Sequence, residues 1–80
     1  MPRPNPLLLG LGRAVRATRE DQGISQEELG LRSGVHRNYI GGIERAERQP
    51  TVATLATLAA ALDVAPSELL GLAERLAPTP

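Results

Sequence analysis

Apolar residues recur at helical spacing in five stretches of the chain, set apart by glycines, prolines and capping residues. In the first stretch Leu8, Leu11, Val15 and Thr18 fall at i, i+3, i+7 and i+10, one face of a helix. Asn5-Pro6 offers an N-cap followed by a first-turn proline, and Gly23 offers a stop, which predicts a helix from Pro6 to about Gln22. Gly10 and Gly12 weaken its first turns and could delay its start. Ser25-Gln26-Glu27-Glu28 has the form of a capping box, with the Ser25 hydroxyl and the Glu28 carboxylate each accepting from the other residue's amide. The short helix it opens should end at Gly34, a good left-handed residue. A third helix is expected from about Arg37 to Arg45, with His36 as an inferior N-cap and Val35, Ile40 and Ile43 turned inward. Thr51 caps a fourth, whose face carries Val52, Leu55, Leu58, Ala59 and Leu62. Pro66 starts a fifth, where Leu69, Leu70, Leu72, Ala73 and Leu76 make an apolar surface.

No stretch alternates with period two over a strand's length, so an all-α domain of five helices is expected. Eighty residues leave room for one core. Residues 1–6 read as a flexible arm, 7–76 as the domain and 77–80 as a disordered tail. A chain this short buries only ~60% of its unfolded surface, which keeps net stability to a few kcal/mol. Cysteine is absent and Tyr39 is the one aromatic residue, so the core must be aliphatic. The lack of cysteine fits a cytoplasmic setting. Leu7 to Leu11 is too short for the apolar part of a signal peptide, and Val52 to Ala65 is too short for a bilayer span and holds Asp63, so no membrane role is expected.

The formal net charge is zero, which taken alone argues against a nucleic-acid partner. Position changes that picture. Residues 1–48 hold eight arginines against six acidic residues, a balance of +2, while the rest of the chain carries −2. Every basic residue is arginine, whose planar fork suits phosphates and guanine edges, although a GC-rich genome would favour the same composition.

The informative unit is Gln26 to Arg45, two short helices joined by a tight turn at Gly34, with the small Gly30 where they cross. In such a pair the start of the second helix enters a duplex major groove. Arg37 could then donate twice to guanine, Asn38 could pair with adenine, and Tyr39 could meet a thymine methyl or a phosphate. Gln26, among the exposed amides that open its helix, could hold a phosphate, and Ser25 and His36, at equivalent helix starts, are expected to contact the DNA backbone too. Each residue has a plainer reading: Arg37 a solvated charge, Asn38 a common helix-start residue, Gln26 a surface residue, His36 only a cap, Tyr39 packed over the first helix.

The stretches SQEELGLRSGVHRNYIGGIERAERQPT and LAAALDVAPSELL resemble the phage lambda repressor-like helix-turn-helix family, over residues ~11–70. Within it, HRNYIGGIERAERQPT is similar to the controller proteins of restriction–modification systems, short stand-alone dimeric regulators. The resemblance implies a sequence-specific regulator of transcription, a homodimer on a pseudo-palindromic site in double-stranded DNA. It also implies a buried ion pair between Arg19 and Glu44 and a backbone contact by Arg48, and Gly42, on the groove-facing side of the helix, is counted with the base-contacting residues. Gly41 departs from the controller pattern, and bare backbone seated deep in the groove competes with tolerated drift as the reason for two adjacent glycines. Thr18 departs too, standing where relatives place leucine. Leu69, Leu72, Ala73 and Leu76 are the candidate dimer surface, with packing onto the fourth helix as the alternative use of that face.

An antitoxin-like module, with residues 63–80 bound to a partner protein, is the second hypothesis. An enzyme is not expected: Ser25 and Ser67 sit at helix starts, and neither a His-acid-nucleophile set nor a phosphate loop is present. A lone His36 without cysteine is no metal site, and neither cofactor nor small-molecule substrate is implied.

Overall fold

The structure, a computed structural model, describes residues 5–79. Its elements are α1 (Pro6–Asp21), α2 (Gln26–Ser33), α3 (Arg37–Glu44), α4 (Val52–Ala61) and α5 (Pro66–Leu76), with no strand among the described residues. Local chemistry sets most of the ends. Asn5, Ser25, His36 and Thr51 each turn a side-chain acceptor onto a first-turn amide. Gly34 closes α2 at φ 76°, a left-handed conformation that costs a glycine nothing.

One cap differs from expectation. The Glu28 carboxylate accepts from Arg32 Nε at 2.9 Å, one helical turn away, so the reciprocal half of the capping box at Ser25 is not made. That half appears on α5, where Glu68 Oε1 accepts from the Ala65 amide at 3.0 Å.

The core gathers Leu11, Ala14 and Val15 from α1, Leu29 from α2, Ile40 and Ile43 from α3, then Leu55, Leu58, Ala59 and Leu62 from the α4 region. Leu69 and Ala73 of α5, 1% and 0% exposed, complete it. α5 packs mainly along α1, and the burial of both residues corrects their assignment to a dimer surface: atoms already enclosed by the chain's own core have no area to offer a second copy. Leu72 and Leu76 are half-buried against the same core. Val52, expected on the buried face of α4, is 83% exposed, because the first residue of that helix lies beyond the edge of the core.

α1 begins at Pro6, inside the stretch assigned to the arm, and residues 1–4 lie outside the described residues. Its glycines do not delay it. They mark two close approaches: a Cβ at Gly10 would overlap the Ala73 carbonyl of α5, and one at Gly12 would lie 2.6 Å from the Ile43 and Glu44 carbonyl oxygens at the end of α3. Thr18 satisfies its hydroxyl by donating to the Ala14 carbonyl at 2.7 Å, so it carries no unpaired polar group into its half-buried position. Side chains of α1 also finish other helices. Arg13 Nη1 donates to the Leu76 carbonyl at 2.9 Å, and Gln22 Nε2, beyond the end of α1, to the Leu62 carbonyl at 2.6 Å. After α5 the chain turns extended at Ala77, which with Pro78 is half-buried rather than part of a free tail. Among the described residues no single helix is long and apolar enough to cross a membrane.

Candidate nucleic-acid interface

α2 and α3 cross where Gly30 brings α2 close to the turn; a Cβ there would lie 2.9 Å from the Val35 carbonyl oxygen. Leu29, Ile40 and Ile43 bury the inner faces of the pair, which leaves the outer face of α3 polar and open.

One polar junction beneath that face fixes its position. Arg19 Nε donates to Glu44 Oε2 at 2.8 Å and Nη2 to Oε1 at 3.0 Å, a two-pronged pair whose side chains are 11% and 4% exposed. Arg19 Nη1 donates to the Ile24 carbonyl at 2.9 Å, so α1, the α1–α2 loop and α3 meet on one guanidinium. The hydrogen bond to Glu44 raises the Arg19 pKa above its ordinary value, more than burial lowers it, and the group stays charged. Gln26 Nε2 donates to Glu44 Oε1 at 3.0 Å and adds α2. No buried side-chain polar atom among the described residues lacks a partner.

Arg37 and Asn38 are exposed at the start of α3, as a reader pair requires. Arg37 is not free: its Nη1 donates to Glu27 Oε2 at 3.2 Å. Tyr39 does not stand with them. Its ring is half-buried against the core and its hydroxyl donates to the Gln49 carbonyl at 3.3 Å. The phenol proton is therefore spent on the loop after α3, and the side chain braces that loop rather than offering a donor to a phosphate.

Ser25 and His36 both act as caps, Ser25 Oγ accepting from the Glu28 amide and His36 Nδ1 from the Asn38 amide, each at 3.0 Å. The imidazole cap leaves Nε2 as the protonated nitrogen of a neutral ring, free to donate outward.

The paired glycines serve neighbouring side chains. The backbone reverses at Ala46, a left-handed residue with φ 59°, so that the Glu47 and Arg48 amides both donate to the Gly42 carbonyl, at 2.7 and 3.1 Å. That turn lays the Arg48 stem on Gly42, where a Cβ would come within 2.5 Å of Arg48 Cγ. Gly42 is therefore buried, and the expectation of a base contact at this position is corrected: the stem of Arg48, not the groove, lies against it. Over Gly41 the Arg45 guanidinium and the Gln26 amide converge; a Cβ would lie 2.9 Å from Arg45 Nη1 and 3.3 Å from Gln26 Oε1.

Arg45 and Glu27 are thus the two polar groups of this face that the sequence did not single out. Arg45 continues the line Arg37–Gly41 at successive helical turns, a spacing the sequence does contain. Glu27 meets Arg37 from ten residues away across a turn, and no periodicity signals that.

Comparison with known proteins agrees with this geometry. The helix-turn-helix family HTH_3 matches residues 15–69. The chain is 47% identical over 60 residues to the control protein C.SmaI of Serratia marcescens, covering 75% of this chain and 71% of that protein. It superposes on the restriction–modification controller protein C.AhdI of Aeromonas hydrophila with a TM-score of 0.76 and 42% identity, over 78% of this chain and 94% of the other. The controller C.Esp1396I, solved as a tetramer in complex with its natural 35-base-pair operator, matches with a TM-score of 0.80 and 28% identity, over 88% of this chain and 92% of the other. With a family match across most of its length and two short helices set at a glycine turn, the chain belongs to the HTH_3 helix-turn-helix family.

Proposed function

We propose that this protein is a cytoplasmic, sequence-specific regulator of transcription of the restriction–modification controller type. It binds double-stranded DNA as a homodimer and places the start of α3 in the major groove. One observation carries the reading: Arg37 and Asn38 stand exposed at the first turn of a helix whose base is locked by the Arg19–Glu44–Gln26 junction. A rigid base matters because a base-edge hydrogen bond needs its donor within a few tenths of an ångström, and the junction fixes three elements at once.

Each reader has its chemistry. The Arg37 fork offers two parallel donors to guanine O6 and N7, and the Asn38 amide a donor and an acceptor to adenine. Around them His36, Arg45, Arg48 and the amides that open α2 contact phosphates and set register. Ser25 supports those amides as their cap. Two copies related by a dyad would set their α3 helices one DNA turn apart, ~34 Å, on a pseudo-palindromic site. Leu72 and Leu76, which keep part of their surface, can contribute to the contact between copies.

Selection of bound duplexes from a random library tests this directly. A pseudo-palindromic site should emerge, and Arg37→Ala should erase the preference at one symmetric pair of positions. Enrichment of no sequence, or a site unchanged by Arg37→Ala, would sink the reading.

A further inference from the structure

Arg37 stands on the first turn of α3 and Glu27 on the first turn of α2. The carboxylate Oε2 of Glu27 accepts one hydrogen bond, at 3.2 Å, from Nη1 of Arg37. Both side chains are open to solvent, 66% and 60% exposed, so the pair adds little to folding. Its geometry matters more. A guanidinium has donors along two edges, and guanine needs the paired donors of one edge. Glu27 takes Nη1 and leaves the edge formed by Nε and Nη2 unengaged.

We propose that Glu27 is a positioning residue for base recognition: it holds the Arg37 guanidinium across the turn so that its free edge is presented to the duplex. The proposal rests on the reading of Arg37 as a base reader. Two consequences follow from the charge and the bond together. An arginine already held gives up less rotamer freedom when it binds, which strengthens the correct base pair over the others. The carboxylate also repels phosphates on every duplex alike, and only a duplex offering the matching base recovers that loss. Glu27 therefore raises selectivity while lowering general affinity. The first-turn amides of α2 moderate the repulsion without removing it.

The test compares the full chain with Glu27→Ala, Glu27→Gln, Arg37→Ala and the Glu27→Ala/Arg37→Ala double variant. Each is measured by selection from a random duplex library and by titration with an unselected duplex at several salt concentrations. Glu27→Ala should weaken the preference at the Arg37 positions about 3- to 10-fold while tightening binding to the unselected duplex. Glu27→Gln keeps an acceptor without the charge, so it should share the tighter general binding and restore most of the preference. In the Arg37→Ala background, removal of Glu27 should leave the preference unchanged. Equal tightening on all duplexes, with preference intact in Glu27→Ala, would overturn the proposal while the reading of Arg37 stood. So would loss of a cytosine preference regardless of residue 37, which would make Glu27 a reader in its own right. A preference unchanged by Arg37→Ala alone would remove the reading itself, and the proposal with it.

Discussion

Two arginine–glutamate pairs lie at the two ends of the recognition helix, and burial gives them different roles. Arg19 and Glu44 share two hydrogen bonds at 2.8 and 3.0 Å, a third ties Arg19 to the Ile24 carbonyl, and both side chains are nearly sealed. Arg37 and Glu27 share one bond at 3.2 Å and remain mostly in water. In the interior weak screening makes the attraction strong, but it also makes either partner expensive to leave alone. At the surface water competes for both partners, so the bond adds little to folding and acts on how the Arg37 fork is oriented. The same two residue types thus build a buried base at one end of α3 and an oriented, solvated tip at the other.

That contrast can be broken at its strong end first. Glu44→Ala would leave the Arg19 charge buried without its partner, at a cost of ~3–5 kcal/mol, which is comparable to the whole stability of a domain this small. A thermal melt should show a chain largely unfolded at room temperature; a melt close to that of the parent would mean the pair is not a structural base.

Gly12→Ala probes the same junction through the backbone. The added methyl would sit 2.6 Å from the Ile43 and Glu44 carbonyl oxygens, so α1 and α3 must part. A net loss of ~1–3 kcal/mol is expected despite the better helix propensity of alanine. An increase in melting temperature would show that the end of α3 yields more readily than the two-pronged pair suggests.

At the exposed end the effects should move from folding to recognition. Arg37→Ala should change stability by less than ~0.5 kcal/mol and cost ~1–3 kcal/mol of discrimination at one base pair. Parallel melts and competition titrations would separate the two, and a melt that falls with the discrimination would erase the contrast. Arg48→Ala is the smallest change. It should weaken all duplexes alike and reduce the slope of log affinity against log salt by ~1 for each phosphate the shortened side chain no longer reaches. A sequence-dependent loss would instead place Arg48 at a base.

Several features of this molecule are legible in its residues. Ser25, Gly34, Thr51 and Pro66 mark helix ends where the structure has them, because a cap acts on amides within three residues of itself. The Arg19–Glu44 contact spans twenty-five residues, and only resemblance to a family implies it, since no local rule reaches that far. Tyr39 and Gly42 suggest a role by their place on the recognition helix, yet both are claimed by the loop that follows it: Gln49 takes the phenol proton and Arg48 covers the glycine. Leu69 and Ala73 are equally suited by sequence to a partner surface or to the core, because an apolar stripe states that a face is covered without stating by what.

The chain's own residues determined that there would be five helices, where most of them stop, and that two of them would meet at a sharp glycine turn, all effects carried by the backbone and its nearest neighbours. Only the packed molecule decided which glycines serve as contact points, which apolar residues remain outside, and which of two like-charged arginines is frame and which is tip. Those outcomes depend on how much water is left around a group once distant segments have closed over it, a quantity that no stretch of sequence carries by itself.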